Sequence, residues 1–261
     1  MITSFFHELG GLSLFVKKIC QTFLRTRGNF HPIFAQAASV SYRSLSTVLF
    51  AGVFVGAILV LQFNLMLTQY DAQTILGGLN TSAVVREVGP LIISFLLAGK
   101  VGAYTAAELG TMRVTEQIEA IECLGTDSIQ YLIVPRFFGI VLAGLLLLGM
   151  GLMVSVIGSM FVATVLCDMN YLQFASSIPR FTGPTTIVSG VFRSLVYSVI
   201  VAGVSCYKGY TASGGARGVG RAVTLAAVYT NLFIVIANYV TSAFLEWVGH
   251  VSQFLTGSVS G

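Results

Sequence analysis

Charged side chains are scarce in this sequence: they make up only 9% of its 261 residues, whereas hydrophobic residues make up 55%. A soluble domain carries about 25% charged residues, because its surface faces water. This shortage excludes a water-soluble globular domain. The composition therefore predicts an all-α polytopic membrane protein, in which a single bundle of five or six spans would use nearly the whole chain.

The motifs of catalysis and of cofactor binding are also missing. The sequence has no GxxxxGK[ST] loop for nucleotide phosphates, no HExxH zinc motif and no GxSxG nucleophile motif. Its four cysteines are scattered without metal-ligand spacing, at Cys20, Cys123, Cys167 and Cys206. We therefore expect a chain that is not an enzyme, holds no metal or cofactor and binds no nucleic acid.

Residues 1–44 are predicted to form an interfacial region rather than a signal peptide, because they carry Glu8 early and lack a basic n-region. Apolar residues recur there at alternating spacings of four and three, which is one face of a helix. A basic amphipathic helix too polar to span is typical of the headgroup plane. An ordinary helix packed on a soluble domain would show the same pattern. The apolar face consists of Phe5, Leu9, Leu12, Val16, Ile19 and Phe23.

Five long apolar segments follow, each long enough to cross about 30 Å of hydrocarbon. The predicted spans are 45–67, 88–110, 137–167, 184–206 and 222–248, followed by a short tail at 249–261. Polar stretches at 71–86 and 168–183 are predicted to connect spans on one side. The charged stretch 113–136 and the glycine-rich stretch 208–221 are predicted to connect them on the other.

Lysine and arginine are distributed unequally between the two sides. Only Arg86 and Arg180 fall on the side of the first pair of connections. The other side collects Lys17, Lys18, Arg25, Arg27, Arg43, Arg113, Arg136, Lys208, Arg217 and Arg221. Because positive charge marks the cytoplasmic side, this bias predicts a cytoplasmic N-terminus and, after five spans, a C-terminus outside the cytoplasm.

Small residues recur every four positions along the second span. One stripe consists of Ala98, Gly102, Ala106 and Gly110, and an adjacent stripe consists of Gly99, Ala103 and Ala107. Such stripes let another helix approach closely. The pattern leaves open whether that helix belongs to the same protomer or to another chain.

Lys100, Tyr104 and Glu108 also recur every four residues on the second span. One interpretation is a structural pair between Lys100 and Glu108, bridged through Tyr104, with the long lysine reaching toward the membrane edge. The other is a role in gating. The spacing does not decide between them.

Two further charged positions are candidates for contact with a ligand. Arg86 and Glu87 stand at the outer start of the second span, where an acidic residue suits the helix dipole but an arginine is unexplained. Arg193 lies inside the fourth span and is costly in lipid unless it is paired. Its candidate partners are Glu87, Asp168 or a substrate phosphate.

The segment Thr115–Leu124 is predicted to form a short amphipathic helix that ends at Gly125. Its acidic and apolar residues fall on different faces, as expected of a helix gripped by a partner protein; a solvated loop helix would explain the apolar face less well. The acidic residues are Glu116, Glu119 and Glu122, and the apolar residues are Ile118, Ile121 and Leu124.

Several motifs resemble the MlaE permease family over about residues 35–248. They are Glu-Val-Gly-Pro-Leu at 87–91, Ala-Gly-Lys-Val-Gly-Ala at 98–103, Glu-Leu-Gly-Thr-Met-Arg-Val-Thr-Glu-Gln-Ile at 108–118, Val-Pro-Arg at 134–136 and Gly-Tyr-Thr-Ala-Ser-Gly-Gly-Ala at 209–216. The position of Lys100 is commonly arginine in this family, so the charge is kept but the guanidinium fork is lost.

The resemblance implies a homodimeric permease with an N-terminal interfacial helix and five spans in a bacterial inner membrane. It implies as partners a cytoplasmic ABC ATPase that holds ATP and magnesium, often a small STAS-domain protein, and a periplasmic hexamer of MCE-domain subunits. The implied cargo is phospholipid moving between the inner and outer membranes. Thr115–Leu124 then corresponds to the coupling helix, and Arg86 and Glu87 border the outward-open lipid cavity.

The resulting hypothesis is a permease subunit of an ABC-type phospholipid transporter. The alternative is a secondary transporter or channel that works without an ATPase. Few carboxylates lie within the spans, and an odd number of spans does not suit internal duplication. Both observations favour the permease subunit over the secondary transporter or channel. A third hypothesis is an assembly scaffold that transports nothing.

Overall fold

The computed structural model describes the backbone of residues 2–25 and 30–255 and the side chains of residues 8–25 and 30–249. The described chain is helical and contains no strand. Its α-helices are α1 Ile2–Arg25, α2 Phe30–Thr68, α3 Leu76–Ala83, α4 Gly89–Leu97, α5 Ala103–Val114, α6 Gln117–Cys123, α7 Val134–Leu166, α8 Tyr171–Phe181, α9 Pro184–Tyr210 and α10 Gly215–Leu255.

Within the described ranges, five continuous helical stretches are long and apolar enough to cross a membrane. They are Phe30–Thr68, Gln73–Val114, Ile129–Leu166, Pro184–Tyr210 and Gly215–Gly249. The prediction of an all-α polytopic membrane protein is therefore confirmed. We call the end of the bundle that carries α6 the basic end, because Arg113, Arg136 and Lys208 lie there, and the other the α8 end.

Several boundaries differ from the prediction. The first membrane helix begins at Phe30 rather than at residue 45, because Pro32 fits its first turn and no glycine follows until Gly52. The predicted glycine-rich loop is helical from Gly215 onward. The predicted tail is helical as far as Leu255, and its last residues, 256–261, lie outside the described range.

Helix α1 packs against the basic end through the face that its periodicity predicted. Ile19 of that face is fully buried. Phe15, which the predicted face did not include, also packs inward, with its ring 5.6 Å from that of Tyr207 on α9. Lys208 Nζ donates a hydrogen bond of 2.6 Å to Glu8 Oε2, which anchors the start of α1 to the same helix. The side chain of Phe5 lies outside the described side chains.

The main seam of the bundle joins α2 to α7. A Cβ atom added at Gly56 would collide with the backbone carbonyl of Ser155, and one at Gly52 would meet the carbonyl of Gly151 at 2.6 Å. The two helices thus approach so closely that backbone touches backbone. This is how small residues associate helices in lipid, where no hydrophobic driving force acts between them.

Gly56→Ala is expected to destabilise the protein by about 1–3 kcal/mol, because the new methyl group overpacks this seam. Gly149→Ala on α7 is the matched control, since a Cβ there meets no atom within 4 Å. The measurement is the unfolding midpoint of each variant in mixed micelles. Equal midpoints for the two variants would contradict the close approach at Gly56.

The two connections at the α8 end contain short helices rather than open loops. Helix α3 packs on α8 where Gly77 and Gly78 leave room for the backbone of Phe174 and Ser177. The backbone NH of Gly78 donates to Ser177 Oγ at 2.9 Å. These contacts explain why stretches too polar to span are still folded.

Two π-helical turns interrupt the second membrane stretch, at Val84–Val88 and Ala98–Gly102. Such turns are rare and occur often at functional sites. The first carries Arg86 and Glu87, and the second carries Lys100. Three of the five charged residues of this stretch therefore lie where the helix changes its register.

Candidate functional site

The best-organised charged cluster lies toward the α8 end and centres on Arg193. This side chain is 0% exposed, and its Nη2 lies 3.3 Å from Glu87 Oε1. Its Nη1 donates to Asn238 Oδ1 at 3.0 Å, and Tyr197 donates to the same oxygen at 2.8 Å. Three elements, α9, α10 and the first π turn, thus join through one buried guanidinium.

Of the partners considered for Arg193, the structure places Glu87 beside it. Asp168 instead occupies the turn after α7, with a positive φ of 50°. Arg193 Nε has no hydrogen-bond partner among the described residues. The ion pair compensates a charge that would otherwise be costly in the bundle interior.

Arg86 differs from its neighbour, because no carboxylate pairs with it among the described side chains. It lines two cavities at the α8 end, of about 360 and about 610 Å³. Glu246 lines both cavities too. Their walls include the apolar side chains of Phe63 and Phe181 in the first and Leu245 in the second.

Glu246 is a site residue that the sequence analysis missed. It falls near the end of a predicted span, 222–248, that was treated as apolar throughout. A lone carboxylate in an apolar segment is itself a signal of function. That signal was available from the sequence.

At the basic end, α6 is held by its own acidic residues. Arg113 Nη1 lies 2.7 Å from Glu119 Oε1, and Ser128 donates to Glu122 Oε1 at 2.5 Å. The guanidinium of Arg113 also lies over the ring of Tyr210, 5.5 Å from its centroid. These contacts fix α6 to the ends of α5 and α9.

The predicted docking helix Thr115–Leu124 is shorter in the structure, which confines it to Gln117–Cys123. Glu116 breaks the helix, because its φ of 59° is left-handed and unfavourable for a side chain. Thr115 precedes that break, and Leu124 follows the helix. Of the predicted apolar face, Ile118 is buried and Ile121 is partly buried, whereas Leu124 is 83% exposed.

Of the two interpretations given for Lys100, Tyr104 and Glu108, the structure contradicts the bridged pair between Lys100 and Glu108. Glu108 Oε1 lies 2.8 Å from Arg136 Nη2, while Lys100 Nζ donates to Thr47 Oγ1 at 2.7 Å. Tyr104 does not bridge them, because its hydroxyl accepts from Arg43 instead. The π turn at Ala98–Gly102 changes the register that the four-residue spacing assumed, and the true partners belong to other helices.

The two small-residue stripes have different surroundings. Ala98, Gly102, Ala106 and Gly110 are buried, and a Cβ at Gly209 of α9 would meet Ala106 at 3.1 Å. This stripe packs within one protomer. In the second stripe, Ala103 and Ala107 are only partly buried, and a Cβ at Gly99 would meet no atom within 4 Å.

Comparison with known families matches residues 33–244 to the family model described as Permease MlaE. The chain belongs to this family. The match covers the five motif blocks that suggested the resemblance and nearly the whole helical bundle.

Relatives of this MlaE permease support the assignment. A probable ABC transporter permease protein of Rickettsia bellii is 34% identical over 92% of this chain and 93% of its own. Another of Synechocystis sp. is 36% identical, over 86% and 84%. The protein TRIGALACTOSYLDIACYLGLYCEROL 1 of Arabidopsis thaliana is 36% identical over 77% of this chain and 58% of its own. The MlaE permease is thus an ABC transporter permease with several membrane spans.

Proposed function

We propose that this chain is the permease subunit of an ABC-type phospholipid transporter, driven by a separate ATPase and linked to a periplasmic MCE-domain ring. The observation that carries the proposal is Arg86, an arginine without a carboxylate partner that lines two cavities with apolar walls. The name of the Arabidopsis relative contains a glycerolipid, which supports a lipid cargo.

The cavities at the α8 end suit an amphiphile. The guanidinium of Arg86 is a strong partner for a phosphate group. Phe63, Phe181 and Leu245 provide apolar surface for acyl chains. Glu87 lines the smaller cavity and pairs with the buried Arg193, so it helps to hold the cavity wall in place rather than offering a free charge.

The orientation of the chain follows from its basic residues. Lys17, Arg113, Arg136 and Lys208 lie at the basic end, so that end faces the cytoplasm of a bacterial inner membrane. The cavities of Arg86 then open on the periplasmic side. The N-terminus is cytoplasmic, and the C-terminus is periplasmic.

The docking site for the ATPase is the surface around α6. Because Arg113 and Ser128 already engage Glu119 and Glu122, the groups left for a partner are Glu116 and the exposed Leu124. Because these contacts fix α6 to α5 and α9, a movement of α6 would be transmitted to both helices. Closing of the ATPase around its ATP and magnesium would thus move the helices that border the lipid cavities.

The open stripe of Gly99, Ala103 and Ala107 is the proposed contact with a second copy of the chain. Helix α10 is available for the same contact, since only 17% of its most apolar window is buried within the protomer. The STAS-domain partner and the MCE hexamer rest on the family resemblance alone.

Copurification tests this function directly. The tagged protein, extracted from its own membranes in mild detergent, is expected to bring down an ATPase subunit and phospholipid. A secondary transporter or channel would bring down no ATPase, and that result would overturn the proposal.

The cavity role predicts different effects for two neutralising substitutions. Arg86→Gln is expected to reduce the phospholipid recovered with the complex about tenfold, because a charged hydrogen bond to phosphate is worth about 1.5 kcal/mol or more. Glu246→Gln is expected to retain or increase it, because the carboxylate repels phosphate. Quantitative lipid mass spectrometry provides the measurement. Equal losses in both variants would indicate a general disturbance of the cavity and contradict the role of Arg86.

A further inference from the structure

Two cations in the half of the bundle nearer the basic end have no anionic partner among the described side chains. Arg43 Nη1 on α2 donates to the Tyr104 hydroxyl at 2.7 Å. Lys100 Nζ donates to Thr47 Oγ1, also at 2.7 Å. Other cations of the bundle are compensated: Arg193 by Glu87, Arg136 by Glu108 and Lys208 by Glu8.

These two hydrogen bonds form adjacent rungs between antiparallel helices. Thr47 follows Arg43 by four residues on α2, and Lys100 precedes Tyr104 by four on its own stretch. The rungs are therefore about 6 Å apart along the helix axes. One phosphate group between them can contact both cations.

The space for such a group is present. A cavity of about 220 Å³ is lined by Gln36, Ser39, Arg43, Lys100 and Tyr104, among others. The ring of Tyr104 holds the Arg43 guanidinium 5.2 Å from its centroid, which fixes the orientation of the charge. Glu108, the one carboxylate in the lining, is already engaged by Arg136.

The cavity descends below the plane of the lipid headgroups. Gln36 precedes Arg43 by two helical turns toward the basic end, about 10 Å. Lys100 lies about 18 Å along the helix from Val88, well inside a hydrocarbon layer of about 30 Å. A charge at that depth requires an anion or water. The site is also separate from the outer cavities, because Arg86 is about 21 Å from Lys100 along the same stretch.

Beyond the two rungs, both helices continue with exposed apolar side chains on the same faces. On α2, Phe50 and Phe54 are exposed at helical spacing from Arg43 and Thr47. On the facing stretch, Leu96 and Ile92 are exposed at successive steps of four from Lys100. The polar cavity is therefore followed, toward the membrane centre, by exposed apolar side chains, which matches a headgroup followed by acyl chains.

We propose that Arg43 and Lys100 bind the phosphate of a phospholipid drawn from the leaflet at the basic end, forming a second headgroup site apart from the Arg86 cavities. This inference rests on the proposed orientation, which makes that leaflet the cytoplasmic one. Both a lipid phosphate and a free phosphate lose hydration at this depth, but the lipid is held in the membrane by acyl chains that remain in hydrocarbon, whereas a free phosphate has no apolar part to offset that cost.

Photocrosslinking in the intact complex tests the site. A photoreactive amino acid replaces Ser39 at the inner cavity or Val188 at an outer one, and crosslinked phospholipid is measured by mass spectrometry. Arg43→Gln and Lys100→Gln are each expected to reduce the lipid crosslinked from position 39 about tenfold. Lipid crosslinked from position 188 is expected to be unchanged. Lys18→Gln, which removes an exposed cation of α1, is the matched control and should change neither.

Three results would overturn this inference. They are an unchanged crosslink from position 39 in the two variants, its loss on adding excess inorganic phosphate, and a crosslink to a second copy of the chain in place of lipid. The first would show that the cations do not bind lipid, and the others would assign them to free phosphate or to a partner carboxylate. Failure of the proposed function would be distinct, because position 188 would then yield no lipid in the unsubstituted complex.

Discussion

Leu124→Arg is expected to weaken binding of the partner ATPase by about 2 kcal/mol, or about thirtyfold, because an exposed apolar anchor in an interface contributes on that scale. Leu124 directly follows α6, and 83% of it is exposed, so it offers an apolar surface to a partner. The measurement is the affinity of the purified ATPase for the permease in lipid nanodiscs.

Leu172→Arg is the matched control for this substitution. Leu172 is also a strongly exposed leucine, at 71%, but it lies on α8 at the opposite end of the bundle. It should leave ATPase binding unchanged. If both variants bind equally well, the α6 surface is not the docking site, and the apolar exposure of Leu124 has another cause.

The three acidic residues of the predicted docking helix differ in their contacts, and they therefore differ in what a charge reversal would report. Reversing Glu119 or Glu122 would break their contacts with Arg113 and Ser128, so that loss of ATPase binding would have two explanations. Glu116 has neither contact and stands in the tight turn before α6. It is the acidic position at which a charge reversal reports on docking alone.

Glu87→Gln is expected to destabilise the protein by about 2 kcal/mol, because it leaves the guanidinium of Arg193 buried without a counter-charge. The loss is smaller than for a fully buried pair, because 45% of the Glu87 side chain is exposed to solvent. Asn238 would remain as its hydrogen-bond partner but supplies no charge. The measurement is the free energy of unfolding in mixed micelles.

A double variant provides the control for the Glu87 substitution. Adding Arg193→Met to Glu87→Gln removes both partners and is expected to restore much of the lost stability, since an apolar side chain tolerates burial. Glu246→Gln, an exposed carboxylate without an ion pair, should change stability by less than about 0.5 kcal/mol. A double variant no more stable than Glu87→Gln would show that the buried charge is not the cause.

Helix faces and span number were predictable because they depend on periodicity and composition within single segments. Ile19 lies on the predicted face of α1, and all five predicted spans correspond to helices in the described ranges. The boundaries were less predictable. Polarity at 71–86 and 168–183 indicated that these segments do not cross the membrane, but it did not reveal that α3 and α8 pack on each other through Gly77 and Gly78.

The partners of the charged residues could be predicted only in part. Glu87 was among the candidates for Arg193, because a buried arginine demands a carboxylate and few exist. The pairing of Lys100 with Glu108 failed, because four-residue spacing identifies only neighbours on one regular helix. The actual partners, Thr47 and Arg136, belong to α2 and α7.

Composition, hydrophobic periodicity and local motifs were sufficient to determine the membrane character, the number of spans, the amphipathic face of α1 and the family. Each of these properties is carried by residues close together in the chain. The tertiary structure alone decided which small-residue stripe is buried, which acidic residues of α6 are already engaged, and that Arg43 and Lys100 share one cavity. Those properties depend on contacts between helices distant in sequence, such as the two rungs that join Arg43 to Tyr104 and Lys100 to Thr47.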